Sequence, residues 1–317
     1  MALSNKQLQA VLKAITTTGA GGQLSDTELQ AFIDLAVEQN AVLGRLRMET
    51  DLRSRLRLDN LSFLHPVMGP AVEATAPPDA AIVKPTITPR FLDVKEVISG
   101  FDLTYSFLRR NIEGDNVDES ISRIFSKRWG KDKVLACFTG NTATAISAAE
   151  GTPEWFMQRA LSVCDGYLTR AAADADTHDV AFDAGDSVLD VIFPALIDAL
   201  PQDYVDQTDD LAFYVSPKMR RQYGRELMQR GTALGDSVIS GSGTLSYDGI
   251  EIVPVYGFPT TKAMLTFDEN LCVGMGPDAE TEPDRKPRKR VVEMTFTEEF
   301  DANYAVSDAV AVATQSV

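Results

Sequence analysis

The sequence predicts an α+β fold in which helices and strands interleave without a regular βαβ repeat. Three observations carry this expectation. Apolar residues recur at helical spacing in separated stretches, the longest over residues 116–138. Short apolar runs bounded by Gly, Pro or Asp, such as 211–215 and 250–255, have the length and composition of buried strands. From residue 250 onward such strands dominate the chain.

The elements follow in order. Residues 3–16 carry a weak helical stripe of Leu3, Leu8, Val11, Leu12 and Ile15, broken by Gly19, Gly21 and Gly22. Ser25-Asp26-Thr27-Glu28 has the capping-box pattern, in which the Ser25 oxygen accepts an early backbone N–H and Glu28 reaches back. Leu29, Phe32, Ile33, Ala36 and Leu43 then follow at helical spacing. Next, Leu52, Leu56 and Leu58 alternate with Arg53, Arg55 and Arg57. Period two means an extended arm with one apolar and one basic face, which needs a surface to lie on. Between 61 and 89, Pro66, Pro70, Pro77, Pro78, Pro85 and Pro89 confine the chain to loops or edge strands. With a strand over 91–108, this segment reads as a long hairpin-like loop projecting from the body.

Residues 116–138 form the strongest helix, with Val117, Ile121, Ile124, Arg128, Leu135 and Phe138 near one face and Phe125 and Trp129 beside it. Gly130 can bend it, and Gly140-Asn141 is a good stop. At ~1.5 Å per residue it is a rod of roughly 35 Å. Thr152-Pro153-Glu154 opens another helix, with Thr152 as cap and proline at the first position. Residues 187–200 form a helix kinked at Pro194 and closed by Pro201. A buried strand over 211–215 precedes a helix capped by Ser216-Pro217 and running to 227. Residues 231–243 form a glycine-rich loop, and strands are expected at 250–255, 263–267, 271–273, 291–296 and 304–314.

Composition narrows the function. The 317 residues suit one large domain or two joined lobes. Apolar content of 44% and charged content of 24% are those of a folded protein. The chain holds 46 Asp plus Glu against 30 Lys plus Arg, a net −16. That excess argues against a protein whose task is to grip nucleic acid, since phosphate binding needs cationic side chains. No apolar run approaches the roughly 20 residues of a membrane span, and residues 1–10 lack the apolar stretch of a signal peptide. Cys137, Cys164 and Cys272 are far apart and fit neither a zinc ribbon nor a disulfide framework. A reducing, cytoplasmic origin is the simplest reading.

The charge is segregated. Residues 1–60 are neutral overall, whereas residues 150–210 hold fourteen Asp/Glu and only Arg159 and Arg170, a net −12. Two basic stretches stand against this lobe: Arg45, Arg47, Arg53, Arg55 and Arg57, and Arg285, Lys286, Arg288, Lys289 and Arg290. Charge divided in this way can organise contacts between like subunits.

Catalytic patterns are weak. Gly274-Met275-Gly276-Pro277-Asp278-Ala279 fits G-x-G-x-x-A only on paper, because Pro277 removes an N–H and no helix follows; it reads as a plain turn. Asp174-Ala175-Asp176-Thr177-His178-Asp179 misses the glycine and glutamate of a calcium loop and reads as an incidental acidic loop. His65 and His178 have no nucleophile beside them. Glu298 and Glu299, adjacent on a strand, face opposite ways and cannot act as an acid/base pair. No catalytic, cofactor or metal residue is assigned, although an enzyme with a dispersed site is a remaining alternative.

The order of elements resembles the major capsid proteins of tailed bacteriophages, the Hong Kong 97 fold. Phe101-Asp102-Leu103-Thr104, Asn111-Ile112-Glu113-Gly114, Asp118-Glu119 and Thr139-Gly140-Asn141 look like the family's strand, spine helix and terminal turn. Phe213-Tyr214-Val215-Ser216, Arg220-Arg221-Gln222-Tyr223, Leu234-Gly235-Asp236, Tyr247-Asp248-Gly249-Ile250, Val253-Pro254-Val255 and the run 265–271 resemble its axial domain. Residues 296–312 look like its last pair of peripheral-domain strands.

The resemblance implies an N-terminal arm (1–60), a projecting hairpin loop (61–107), a peripheral domain with the spine helix (108–185), an axial domain (186–280) and return strands of the peripheral domain (281–317). It implies a structural protein without enzymatic activity that assembles with itself. Hexamers and pentamers would tile an icosahedral virion shell, built in the host cytoplasm around double-stranded DNA held without sequence-specific binding. A separate scaffold protein, a portal and decoration proteins are the further partners, and no membrane is involved. A related nanocompartment shell enclosing an enzyme is the alternative. The basic residues above, with Lys84 of the projecting loop, are the candidates for contact between subunits. Crosslinking through Lys84 is not expected, since no partner can be assigned.

Overall fold

A computed structural model describes residues 40–53, 55–62, 68, 86–105, 117–206, 210–229 and 245–316. The helix expected over 3–16, the expected helical stripe from Leu29 to Ala36, Lys84 with most of the projecting loop, and the glycine-rich loop lie outside the described residues, while Leu43, expected on the same stripe, instead begins a 3-10 turn.

A short 3-10 turn, Leu43–Arg45, leads into strand β1 (Arg47–Glu49). Strands β2 (Leu56–Ser62), β3 (Thr86–Leu92) and β4 (Lys95–Thr104) follow. The long helix α1 spans Val117–Thr139, with α2 at Pro153–Leu161 and α3 at Tyr167–Ala173. After β5 (His178–Phe182) a π-helical turn, Val188–Ile192, runs straight into α4 (Phe193–Ala199). Then come α5 (Gln202–Val205), β6 (Leu211–Val215) and α6 (Pro217–Gln229). The chain closes with β7 (Ser246–Tyr247), β8 (Ile250–Pro254), β9 (Lys262–Phe267), β10 (Leu271–Lys286), β11 (Val291–Tyr304) and β12 (Ala311–Gln315).

Local chemistry sets the helix starts as the sequence predicts. Thr152 is extended and its side chain accepts the Trp155 N–H at 3.2 Å, ahead of Pro153. Ser216 accepts the Met219 N–H at 3.1 Å. The kink expected at Pro194 takes the form of the π-turn, which hands over to α4 at Phe193.

Three sheets result. One has the order β1-β10-β11-β4, the second β5-β12-β9-β6-β8-β7, and β2 pairs with β3 alone. Every residue of β6 is buried. Its alternate side chains explain why: Ala212 and Tyr214 join the core with α1 and α3, while Leu211, Phe213 and Val215 join a second core with α4 and α6. A strand clad on both faces is uniformly apolar, which is why 211–215 stands out in the sequence.

Three expectations need correction. The strand expected over 91–108 is two strands, broken at Asp93-Val94, and β3 turns away to pair with β2. The expected turn at 274–279 is part of β10. Its irregularity is a bulge between Met275 and Ala279, which accommodates Pro277 without a ladder bond. Pairing with the alternating Met294, Phe296, Glu298 and Phe300 of β11 carries β10 on to Lys286. Finally, the strand expected over 304–314 is divided. β11 ends at Tyr304, and β12 crosses to the six-stranded sheet between β5 and β9. The chain after 281 therefore serves both sheets.

Candidate assembly interface

The placement of α1 depends on how it is fixed to the sheet beneath it. Lys133 of α1 forms a buried ion pair with Glu298 of β11, whose side chain is only 2% exposed. The Trp129 indole N–H donates to the other Glu298 oxygen at 2.6 Å, and Lys133 Nζ also approaches Met275 Sδ at 3.4 Å. The Trp129 ring meets Phe296 edge-to-face at 4.9 Å. One helix and two strands thus converge on a single charged latch. Breaking such a pair by removing one partner costs more than forming it gains.

Two further pegs are similar. The Arg170 guanidinium of α3 holds Asp301 of β11 at 2.9 and 3.1 Å, and the Asp93 N–H donates to the same carboxylate at 2.8 Å. Burial still pushes the Asp301 carboxyl above its ordinary value, against the pull of Arg170. Asp174 receives the Tyr304 hydroxyl at 2.7 Å and pairs with Arg90 of β3. The would-be calcium loop therefore spends Asp174 on anchoring β3 to the body. His178 begins β5 and lies 3.1 Å from Asp308. Among the described residues no group of three or more His, Cys, Asp or Glu could hold a metal ion, and no helix is long and apolar enough to cross a membrane.

The basic candidates divide by position. Arg45 is engaged within its own chain, 2.7 Å from both Glu251 of β8 and Asp268 just after β9. It pins the arm to the six-stranded sheet. Arg47 pairs with Glu49 at 2.6 Å. Arg53 is exposed, Arg55 is exposed and stacks 3.7 Å over Phe91, and Arg57 pairs with Asp59 on the open face of β2. Lys84 lies outside the described residues. Arg285, Lys286, Arg288, Lys289 and Arg290 gather at the tip of the β10–β11 hairpin. There Lys286 contacts Asp284 and Glu293, Lys289 reaches Glu293 at 3.2 Å, and Arg285, Arg288 and Arg290 are exposed. Arg290 closes the turn with a positive φ of 57°.

The exposed acidic side chains of residues 150–210 sit elsewhere. Asp179, Asp183, Asp190, Asp198, Asp203 and Asp210 are all exposed around the six-stranded sheet and its helices. The structure thus separates basic tips from an acidic lobe.

Sequence reasoning missed the buried charges. Glu298 was weighed only against Glu299, yet it alternates with Phe296 and Phe300 on an apolar face. Lys133 immediately precedes the buried Val134 and Leu135. An acid and a base each embedded in an apolar pattern are the signal that would have found the pair.

No family model matches the chain. The Bacillus subtilis (strain 168) protein named "Putative prophage capsid protein YqbE" is 24% identical over 309 residues, which is 94% of each chain. Among solved structures, a chain of the satellite phage P4 procapsid that includes the size determination (Sid) protein matches with TM-score 0.69. It is 14% identical, with 98% of this chain and 97% of that one covered. The capsid of an empty GTA particle matches with TM-score 0.59 at 13% identity, with 95% and 94% covered. With the long helix α1 latched to a long β-hairpin and a second, doubly clad sheet beside it, the chain has the Hong Kong 97 fold of these capsid structures, and its sequence is similar to that prophage capsid protein.

Proposed function

We propose that this chain builds the head shell of a tailed phage or prophage by assembling with itself into hexamers and pentamers on an icosahedral lattice. The observation that carries this is the sequence relationship to a prophage capsid protein along nearly the whole of both chains. The protein is structural and not an enzyme. The prophage relative favours a shell around double-stranded DNA over a compartment around an enzyme. An acidic lobe suits that role, because a container that gripped packed DNA would hinder its entry and exit.

Residues 1–60 are the arm, 61–107 the projecting loop, 108–185 the peripheral domain, 186–280 the axial domain, and 281–317 the returning strands. The exposed basic residues of β2 and of the β10–β11 tip face acidic surfaces of neighbouring copies. A scaffold protein guides assembly, a portal occupies one vertex, and decoration proteins are further candidates for the outer surface. Expression of the full chain, alone and with a candidate scaffold protein, tests this by sedimentation. Fast-sedimenting hollow particles are expected. A subunit that stays monomeric under both conditions overturns the reading.

A further inference from the structure

Strand alternation divides the sheet β10-β11-β4 into two faces. Phe101 of β4 and Phe296 and Glu298 of β11 point to α1, where they meet Phe125, Trp129 and Lys133. The residues between them therefore point away from α1. On that outer face Glu96 stands opposite Glu299, and Asp102, Glu293 and Asp284 form one row across three strands. Glu282 lies on the same side of β10, beside Asp284. All of these carboxylates are exposed or half-buried.

Like charges directly opposite one another on a sheet repel, so each row destabilises the strands unless a cation comes between. The chain relieves one row itself. Lys286 contacts Asp284 and Glu293, and Lys289 reaches Glu293 at 3.2 Å. Both lysines belong to the hairpin tip, so basic tip and acidic row already meet at one end of this face. Among the described residues no ion pair reaches Glu96, Glu299 or Glu282. The strand from Val291 to Glu299 runs ~26 Å at ~3.3 Å per residue, so the tip of the same hairpin does not reach the Glu96–Glu299 row.

The cations left over stand at that tip. Arg285 and Arg288 are exposed and pair with no carboxylate among the described residues. The turn that carries Arg288 closes the hairpin beyond its last pair, Lys286 with Val291. One hairpin thus has surplus cations at its end and surplus carboxylates along its outer face. Two different surfaces that complement each other in this way make a head-to-tail contact between copies, not a self-paired one.

We propose that the outer face of β10-β11-β4 receives the hairpin tip of a second copy, whose Arg285 and Arg288 lie against Glu282, Glu299 and Glu96. The inference rests on the reading of this chain as a self-assembling subunit and names the two surfaces that meet.

Charge exchange tests it, with the wild-type chain as control. Glu96→Lys with Glu282→Lys reverses the face, and Arg285→Glu with Arg288→Glu reverses the tip. Each pair should lower particle yield at least about tenfold, and all four substitutions in one chain should restore it. Normal yield from either pair, or no rescue by the combination, overturns the proposal. A second measurement needs no shell. Glu282→Cys subunits are mixed with Arg288→Cys subunits under oxidised glutathione; Cys137, Cys164 and Cys272 are buried, so the introduced thiols report the contact. Mixed disulfide dimers in excess over dimers of either variant alone are expected. Their absence overturns the contact even where wild-type particles form. Mixed dimers from a chain that builds no particles would support the contact while the shell reading fails.

Discussion

Replacing Lys133 by Met isolates the latch that joins α1 to β11. The substitution keeps most of the side-chain volume, so packing loss is small and the main effect is electrostatic. Glu298 then stays buried, 2% exposed, with its cationic partner gone. Removing one member of a buried pair costs about 3–5 kcal/mol. Here the Trp129 N–H still donates to Glu298 at 2.6 Å, which places the cost near the lower end, about 3 kcal/mol. The double variant Lys133→Met with Glu298→Gln removes both charges and leaves an amide oxygen for Trp129. Its cost should fall to about 1 kcal/mol, about 2 kcal/mol less than Lys133→Met alone, the non-additivity expected of residues in direct contact. The assay is a urea titration of disassembled subunits followed by tryptophan emission. Trp129 and Trp155 are the only tryptophans in the chain, and Trp129 touches the latch. An unchanged slope with a shifted midpoint indicates a change in stability alone. If Lys133→Met cost under about 1 kcal/mol, or if the two substitutions were additive, the latch would not hold the helix to the sheet.

Other expectations are as direct. In Gly140→Ala the new methyl would lie 2.3 Å from the Cys164 carbonyl and 2.5 Å from that of Ala136; unfolding should cost about 3 kcal/mol by overpacking, and a neutral result would mean the helix end is not fixed there. Burial pushes Cys164 up to about 12 and Cys272 up to about 11, from 9.0. A value raised in the folded state leaves its stabilisation intact below the unfolded value. Subunit stability should therefore hold below pH 9 and decline as pH rises from 9 toward 12; a flat profile over that range contradicts the burial. Arg55→Glu with Arg57→Glu reverses exposed charge on β2 and should depress particle yield while subunit helicity is unchanged; normal yield refutes that surface. Arg45→Ala should instead destabilise the subunit by about 1 kcal/mol, since its partners Glu251 and Asp268 are in its own chain, and an unchanged urea midpoint would count against that.

Elements set by local rules were legible in the sequence. The spine helix, expected at 116–138, spans Val117–Thr139, because its apolar spacing and its Gly140 stop act locally. The caps Thr152 and Ser216 were readable for the same reason. Sheet membership was not. Nothing near 311–315 says that the strand leaves β11 and enters between β5 and β9, since that depends on partners far along the chain. The extension of β10 through Pro277 and Pro283 was hidden by residues that locally signal turns, and pairing with β11 overrode them.

Charge was legible as a distribution and not as contacts. The basic stretches and the acidic lobe do occupy different parts of the structure, yet the sequence could not show that Arg45 spends its charge internally. It also could not separate the buried Glu298 from the more exposed Glu299, because only the β11–α1 packing decides which of two neighbours faces the core.

Electron cryomicroscopy of particles from cells expressing this chain, alone and with a candidate scaffold protein, tests the central claim most directly. Closed shells of uniform diameter, with pentamers at the vertices, hexamers between them and one copy of this fold per lattice position, are expected. Open aggregates, or a fixed small oligomer with no lattice, would contradict the assignment of this chain as a shell subunit.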